Sequence, residues 1–222
     1  MVYGSFAYIG LMAAHPEVQG QGVGRRILDE LLAWIGARNC PTILLDASPA
    51  GAPLYVSSGF VDDDLTLVFQ REQLSSGAGL HTEIPIPSDA DFSQLIAFDT
   101  PFFGANRSRL FNYYRNEIPE RIVVSRDSTG KVDGYLVAQS RTIGPWVASD
   151  AGIAEELLSQ ALGLSFEGGP QVFVSGSNGD AVKLLGRFGF EEQRSLRHMY
   201  RGKSIRQARG TRIYGQATLG YG

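Results

Sequence analysis

An α/β fold of the α+β type, laid down twice along one chain, is what this sequence predicts, and three observations carry the prediction. Strand-like and helix-like periodicities alternate along most of the length. The string LLDASPAGAPLYVSSGF, ending at Phe60, is echoed by FVSGSNGDAVKLLGRFGF, ending at Phe190. Between them lies a small, polar, glycine-rich stretch at residues 73–79 with linker composition. In the echo Ser48 falls opposite Asn178, Tyr55 opposite Leu185, and Gly59-Phe60 opposite Gly189-Phe190. An amphipathic helix preceded by a strand lies upstream of each copy, so element order repeats as well as residues. The expected division is a first unit at 1–72, a linker at 73–80, a second unit at 81–203 and a tail at 204–222.

Residues 6–12 are apolar and β-permissive, and His15-Pro16-Glu17 ends that run. From Val23 the apolar positions Val23, Ile27, Leu28, Leu31, Trp34 and Ile35 share one helical face, with Arg25, Arg26, Asp29 and Glu30 on the other. Asn39-Cys40-Pro41 stops the helix, because a residue before proline is pushed out of the helical region. A buried strand is expected at 42–45, a short helix at 49–58 closed by Gly59, and a strand at 65–69. In the second half a strand is expected at 82–86. Ser88 and Asp89 can cap a helix carrying Phe92, Leu95, Ile96 and Phe98. Pro101 should interrupt that helix, and a second helix is expected at 107–114. Residues 121–125 and 132–139 read as a hairpin turning at Asp127-Ser128-Thr129-Gly130. Strands at 142–147, 172–175 and 196–200 alternate with helices at 153–164 and 180–188.

The bulk properties exclude several classes. Of 222 residues, 43% are hydrophobic and 19% charged, enough for one large domain or two small ones and too apolar for disorder. A net charge of -3 leaves no basic surplus to attract nucleic acid non-specifically. No apolar run approaches the ~18 residues of a membrane span. Residues 1–10 lack the basic-then-apolar layout of a secretion signal, so a cytoplasmic location is expected. Cys40 is the sole cysteine, so no internal disulfide can form. His15, His81 and His198 have no matched ligand spacing, which argues against a metal site, and no Gly-x-Ser-x-Gly elbow is present.

Chemistry concentrates in Gln19-Gly20-Gln21-Gly22-Val23-Gly24, between a strand and an amphipathic helix. Glycines let the backbone turn its N–H groups inward, and a helix N-terminus adds partial positive charge, so such a loop can hold a diphosphate without a lysine. A dinucleotide fingerprint fits at Gly20 and Gly22 but meets Arg25 at its third glycine. A Walker loop is absent, since Gly130-Lys131-Val132 lacks the hydroxyl residue. A ligand-free connector remains the third reading.

His15-Pro16-Glu17-Val18-Gln19-Gly20-Gln21-Gly22-Val23-Gly24 resembles the signature loop of the GNAT acetyltransferases, Gln/Arg-x-x-Gly-x-Gly/Ala, with Gln19, Gly22 and Gly24 in the defining places. Leu54-Tyr55-x-x-x-Gly59-Phe60 resembles that family's second hallmark, and the two motifs stand in the family's order. The resemblance implies two GNAT-like mixed sheets flanked by helices, the first incomplete because only residues 1–5 precede the loop strand. It implies acetyl-CoA as co-substrate, with Gln19, Gly20, Gln21, Gly22, Val23 and Gly24 around the diphosphate and Met12, Ala13 and Ala14 along the pantetheine arm and the oxyanion. The chain also resembles a bacterial group in which a GNAT unit precedes a degenerate one, through Ile143-Gly144-Pro145-Trp146 and Arg212-Ile213-Tyr214-Gly215. In the second half Ala148-Ser149-Asp150-Ala151-Gly152-Ile153 replaces the loop, so no CoA is expected there. An uncovered sheet edge in the first unit would favour a homodimer.

For the reaction, the resemblance gives Tyr55 as general acid toward the CoA sulfur. A phenol near pKa ~10 is protonated at neutral pH, so the role is chemically sound; a merely packed tyrosine is the other reading. No glutamate lies on residues 6–12. Asp46, after the strand at 42–45, is the remaining carboxylate for a base acting through water or an amine anchor, or else it caps the following turn. Trp146 and Tyr114 are either pocket walls or core. The expected function is an N-acetyltransferase acting on an amine, without metal. The alternative is a non-catalytic acyl-CoA-binding or interaction module.

Overall fold

The computed structural model describes residues 1–72, 84–204 and 211–222. The first segment gives β1 (Ala7–Ile9), α1 (Val23–Gly36), β2 (Thr42–Ala47), α2 (Ala52–Val56) and β3 (Val61–Arg71). The second gives α3 (Asp89–Phe103), α4 (Ser108–Glu117), β4 (Ile122–Arg126), β5 (Val132–Ala138), β6 (Thr142–Ala148), α5 (Ala151–Ala161), β7 (Gln171–Ser175), α6 (Gly179–Arg187) and β8 (Phe190–Gly202). The last adds β9 (Ile213–Gly215). The linker expected at 73–80 and His81 lie outside the described residues. Residues 84–86, expected to end a strand, are unpaired.

The described strands form one mixed sheet in the order β1-β2-β8-β3-β7-β6-β5-β4, with β9 on β6. Pairing is parallel for β1/β2 and β6/β7 and antiparallel elsewhere. The α/β class holds, and the two expected sheets are continuous. β8 inserts between β2 and β3, while β3 inserts between β8 and β7, so each half of the chain lends the other a strand. β8 therefore runs thirteen residues, well beyond the expected 196–200, because it serves both neighbours.

Period-two alternation sorts the faces. Ala7, Ile9, Ile43, Leu45, Ala47 and Met199 pack under α1 and α2 with Leu28, Ile35, Tyr55 and Phe60. Leu136, Trp146 and Val174 pack on that same side under α5 and α6. On the opposite side Tyr135, Val137 and Val147 meet α3 and α4, and Phe6, Tyr8 and Leu44 meet Phe103. Trp146 and Tyr114 are thus core residues, 0% and 2% exposed. The two echoed helix ends share one geometry: Gly59 and Gly189 sit at φ 83° and 76°, each followed by a buried phenylalanine.

Two expectations fail for local reasons. Pro101 lies inside α3 instead of breaking it. Near the C-terminal end the missing N–H costs a single helical bond, and burial of Phe103 holds the last turn in place. β1 stops at Ile9 instead of reaching residue 12. Its ladder with β2 ends at the pair Ile9/Leu45, Leu11 takes φ 56°, and a Cβ on Gly10 would lie 2.1 Å from the Cα of Gly220. β2 continues through Asp46 and Ala47, two residues beyond its last pair with β1. At the sheet edge residues 1–3 fold back on β1, with Met1 and Tyr8 exchanging hydrogen bonds.

Candidate functional site

The glycine loop follows a 3-10 turn (Pro16–Val18) and leads directly into α1. Gly20 and Gly22 take φ 75° and 79°, and Gly22 is the N-cap of α1 with no side chain capping it. No backbone N–H from residue 20 to 25 donates a hydrogen bond to the described residues. A Cβ at Gly20 or Gly22 would meet nothing within 4 Å, so the loop is uncrowded on that side of its backbone. Unclaimed donors at a helix N-terminus suit an anionic group. The glutamines brace the loop: Gln19 Nε2 donates to the Ala14 carbonyl at 3.0 Å and Gln21 Nε2 to the Glu17 carbonyl at 2.9 Å. Arg25 donates to Ser58 Oγ at 2.6 Å and to Ser57, which ties α1 to α2. Met12 and Ala14 are half-buried and Ala13 exposed, all on the stretch that leaves β1.

Tyr55 lies on α2 under the same sheet face, 8% exposed and edge-on to Phe60 at 5.8 Å. Its hydroxyl makes no hydrogen bond with the described residues, and burial raises its pKa, so it stays a phenol at neutral pH. The ring is packed and the hydroxyl is free.

Asp46 sits on the other face. Its side chain is 0% exposed and accepts three hydrogen bonds: from Thr66 Oγ1 at 2.6 Å, from His198 Nδ1 at 2.9 Å and from the Tyr8 hydroxyl. It caps no turn; Ser48 Oγ does that, accepting from Gly51 N at 3.2 Å. A carboxylate can only accept, so Nδ1 of His198 carries its proton and Nε2 of the neutral ring keeps a lone pair. Gln216 Nε2 donates to Thr66 Oγ1 at 3.4 Å, and with the Thr66 proton committed to Asp46 the amide nitrogen must face Thr66. That leaves Gln216 Oε1 buried without a donor, a cost of about 1–3 kcal/mol until one is supplied.

His198, Thr66 and Gln216 line a cavity of about 340 Å³ together with Asp64, Ser177 and Phe103, a size suited to a small molecule. Asp46, His198 and Asp64 form one row across β2, β8 and β3, since each is the register partner of the next. A bulge between Asp62 and Asp64 turns β3 at the rim. Burial pushes the Asp64 carboxyl up, but hydrogen bonds from Ser175, Leu65 N and Ser177 outweigh it and hold the group below the usual range. Arg107 also lines the cavity, yet its charge is matched by Asp99 at 2.6 Å, with Tyr135 bonded to both.

The structure thus brings Gln19 to Gly24 and Tyr55 to one side of the sheet and Asp46 to the other, close to the end of the β1/β2 ladder. His198, Thr66, Tyr8 and Gln216 were not expected at a site. His198 lies 152 residues from its carboxylate, and only the β2/β8 register joins them, so spacing along the chain carries no signal for the pair. Among the described residues no group of His, Cys, Asp and Glu is placed to hold a metal ion, and no helix is long and apolar enough to cross a membrane.

Two family profiles, both described as Acetyltransferase (GNAT) domain, match residues 95–215 and 2–62. Among solved structures, a candidate acetyltransferase from Pyrococcus horikoshii is 27% identical with a TM-score of 0.81, covering 100% of this chain and 74% of that one. A GCN5-related N-acetyltransferase from Sphaerobacter thermophilus is 18% identical with a TM-score of 0.61, covering 99% and 77%. A GNAT-family acetyltransferase from Colwellia psychrerythraea is 16% identical with a TM-score of 0.51, covering 86% and 76%. No curated protein matches the chain.

Proposed function

We propose that this chain, which belongs to the GNAT acetyltransferase family and is an acyltransferase, takes its acyl group from acetyl-CoA and passes it to an amine. The observation that carries the reading is the pair of opposed surfaces on either side of the sheet, near the end of the β1/β2 ladder. On one side lie unclaimed amides and a free phenol; on the other lies a cavity with an oriented histidine. Acetyl-CoA would supply an activated thioester carbonyl. The amides of Gly20, Gln21, Gly22, Val23 and Gly24 would hold its diphosphate, and the chain at Met12, Ala13 and Ala14 would border its pantetheine arm.

The proton work falls to this chain's residues. An alkyl amine near pKa ~10 must lose a proton to attack, and His198 Nε2 accepts it while Asp46 stabilises the resulting imidazolium. Asp46 is therefore a positioning residue, and His198 the base it orients. Tyr55 gives its proton to the departing sulfur, since a thiol leaves more readily than a thiolate.

The chain is best divided as a cofactor-binding unit at 1–72 and a second, degenerate unit at 81–203 joined by 73–80, with 204–222 a C-terminal tail from which Thr211, Ile213, Gln216 and Gly222 line the cavity. Supporting this, the N-terminus of α5 is already occupied: Asp150 accepts from Ile153 N at 3.0 Å and places a carboxylate where a diphosphate would sit. A thiol-release assay with acetyl-CoA and a panel of primary amines tests the reading. Amine-dependent release supports it, and CoA binding without turnover would return the chain to a non-catalytic acyl-CoA binder.

A further inference from the structure

We infer that the acceptor is a primary amine bearing an apolar arm and no carboxylate, an inference that rests on the acyltransfer reading above. The chemistry of the cavity wall selects it. Two polar groups on the wall can meet an ammonium, the His198 ring and the carboxylate of Asp64, with Gln216 beside them. Among the described residues Asp64 is held by neutral donors, namely Ser175, Ser177 and the Leu65 amide, and no cation among them cancels its charge. The guanidinium that the described residues place on the wall, that of Arg107, is matched by buried Asp99 and offers no net charge to an anion. Phe103, Leu65 and Ile213 supply an apolar side.

An ammonium entering this cavity finds a carboxylate in Asp64 and the His198 ring on the same wall. The same molecule with an α-carboxylate would bring a second negative charge against Asp64, and among the described residues no unpaired cation lines the cavity to receive it. Discrimination of this kind comes from repulsion as much as attraction.

The experiment compares phenethylamine with phenylalanine, which share one arm and differ by the carboxylate, using direct calorimetric binding and acetyl-CoA turnover. Phenethylamine should bind, and its kcat/KM should exceed that of phenylalanine by about a hundredfold, the discrimination expected of an uncompensated charge in a partly buried site. Asp64→Asn should raise the amine KM by about tenfold and leave the acetyl-CoA KM unchanged. Gln216→Leu, which removes the orphaned oxygen, should also raise the amine KM and serves if the first variant folds poorly. Equal use of the two compounds, absence of phenethylamine binding, or unchanged amine KM in both variants would overturn the inference. Failure of CoA to bind would sink the acyltransfer reading instead, while amine binding measured without acetyl-CoA still decides the acceptor class.

Discussion

Replacing Asp46 by Asn tests whether His198 is an oriented base. Asp46 is fully buried and accepts from Tyr8, Thr66 and His198. The amide keeps one acceptor oxygen and turns an N–H₂ toward groups that are themselves donors, so at least one of the three bonds is lost. A hydrogen bond to a charged group contributes about 1.5–3 kcal/mol. Losing one should lower Tm by about 3–12 °C, at ~2–4 °C per kcal/mol for a chain of this size. The ring is then free to rotate or change tautomer, and general-base catalysis worth about 10²–10⁴ in kcat is at stake. The assay is steady-state thiol release beside a thermal melt, with Thr66→Val as the control. Thr66→Val removes one donor to Asp46 but leaves the His198 contact, so it should cost stability with little change in kcat. An Asp46→Asn enzyme retaining kcat within about threefold would refute the role assigned to His198.

Other substitutions probe the opposite face and the rim. Gly22→Val forces a β-branched residue to φ 79°, a strain of about 1–3 kcal/mol. It should weaken CoA binding at least about tenfold by calorimetry, because the amides can no longer keep their present orientation. Tyr55→Phe removes a hydroxyl that no other described side chain uses, so Tm and CoA affinity should hold while kcat falls by about 10²-fold. For Asp64, whose folded-state pKa is depressed, the stabilisation is present above the unfolded carboxylate pKa of about 4 and is lost as pH falls below it. Melts of the native protein and Asp64→Asn should therefore differ near neutrality and converge in acid.

Much of the scaffold is legible along the chain because it is local. The 3.6-residue period from Val23 to Ile35 gives α1. Gly59 and Gly189 mark helix ends because only a left-handed turn ends those helices there. The loop from Gln19 to Gly24 announces an unusual backbone by its glycines alone. The illegible parts are non-local. Nothing near residue 198 says that β8 will slide between β2 and β3, yet that insertion merges the halves into one sheet and brings His198 onto Asp46. Pro101 misleads because burial of Phe103 outweighs one lost hydrogen bond. The early end of β1 depends on Gly10 meeting Gly220, 210 positions away in the numbering of the chain.

A crystal structure with bound coenzyme A bears most directly on how the two faces cooperate. The diphosphate should lie within hydrogen-bond reach of the amides of residues 20–24, and the thiol arm should enter between β1 and β2 with its sulfur at the Tyr55 hydroxyl. A diphosphate seated elsewhere, such as at the N-terminus of α5, or a thiol directed away from that gap, would contradict the division of labour between the two faces.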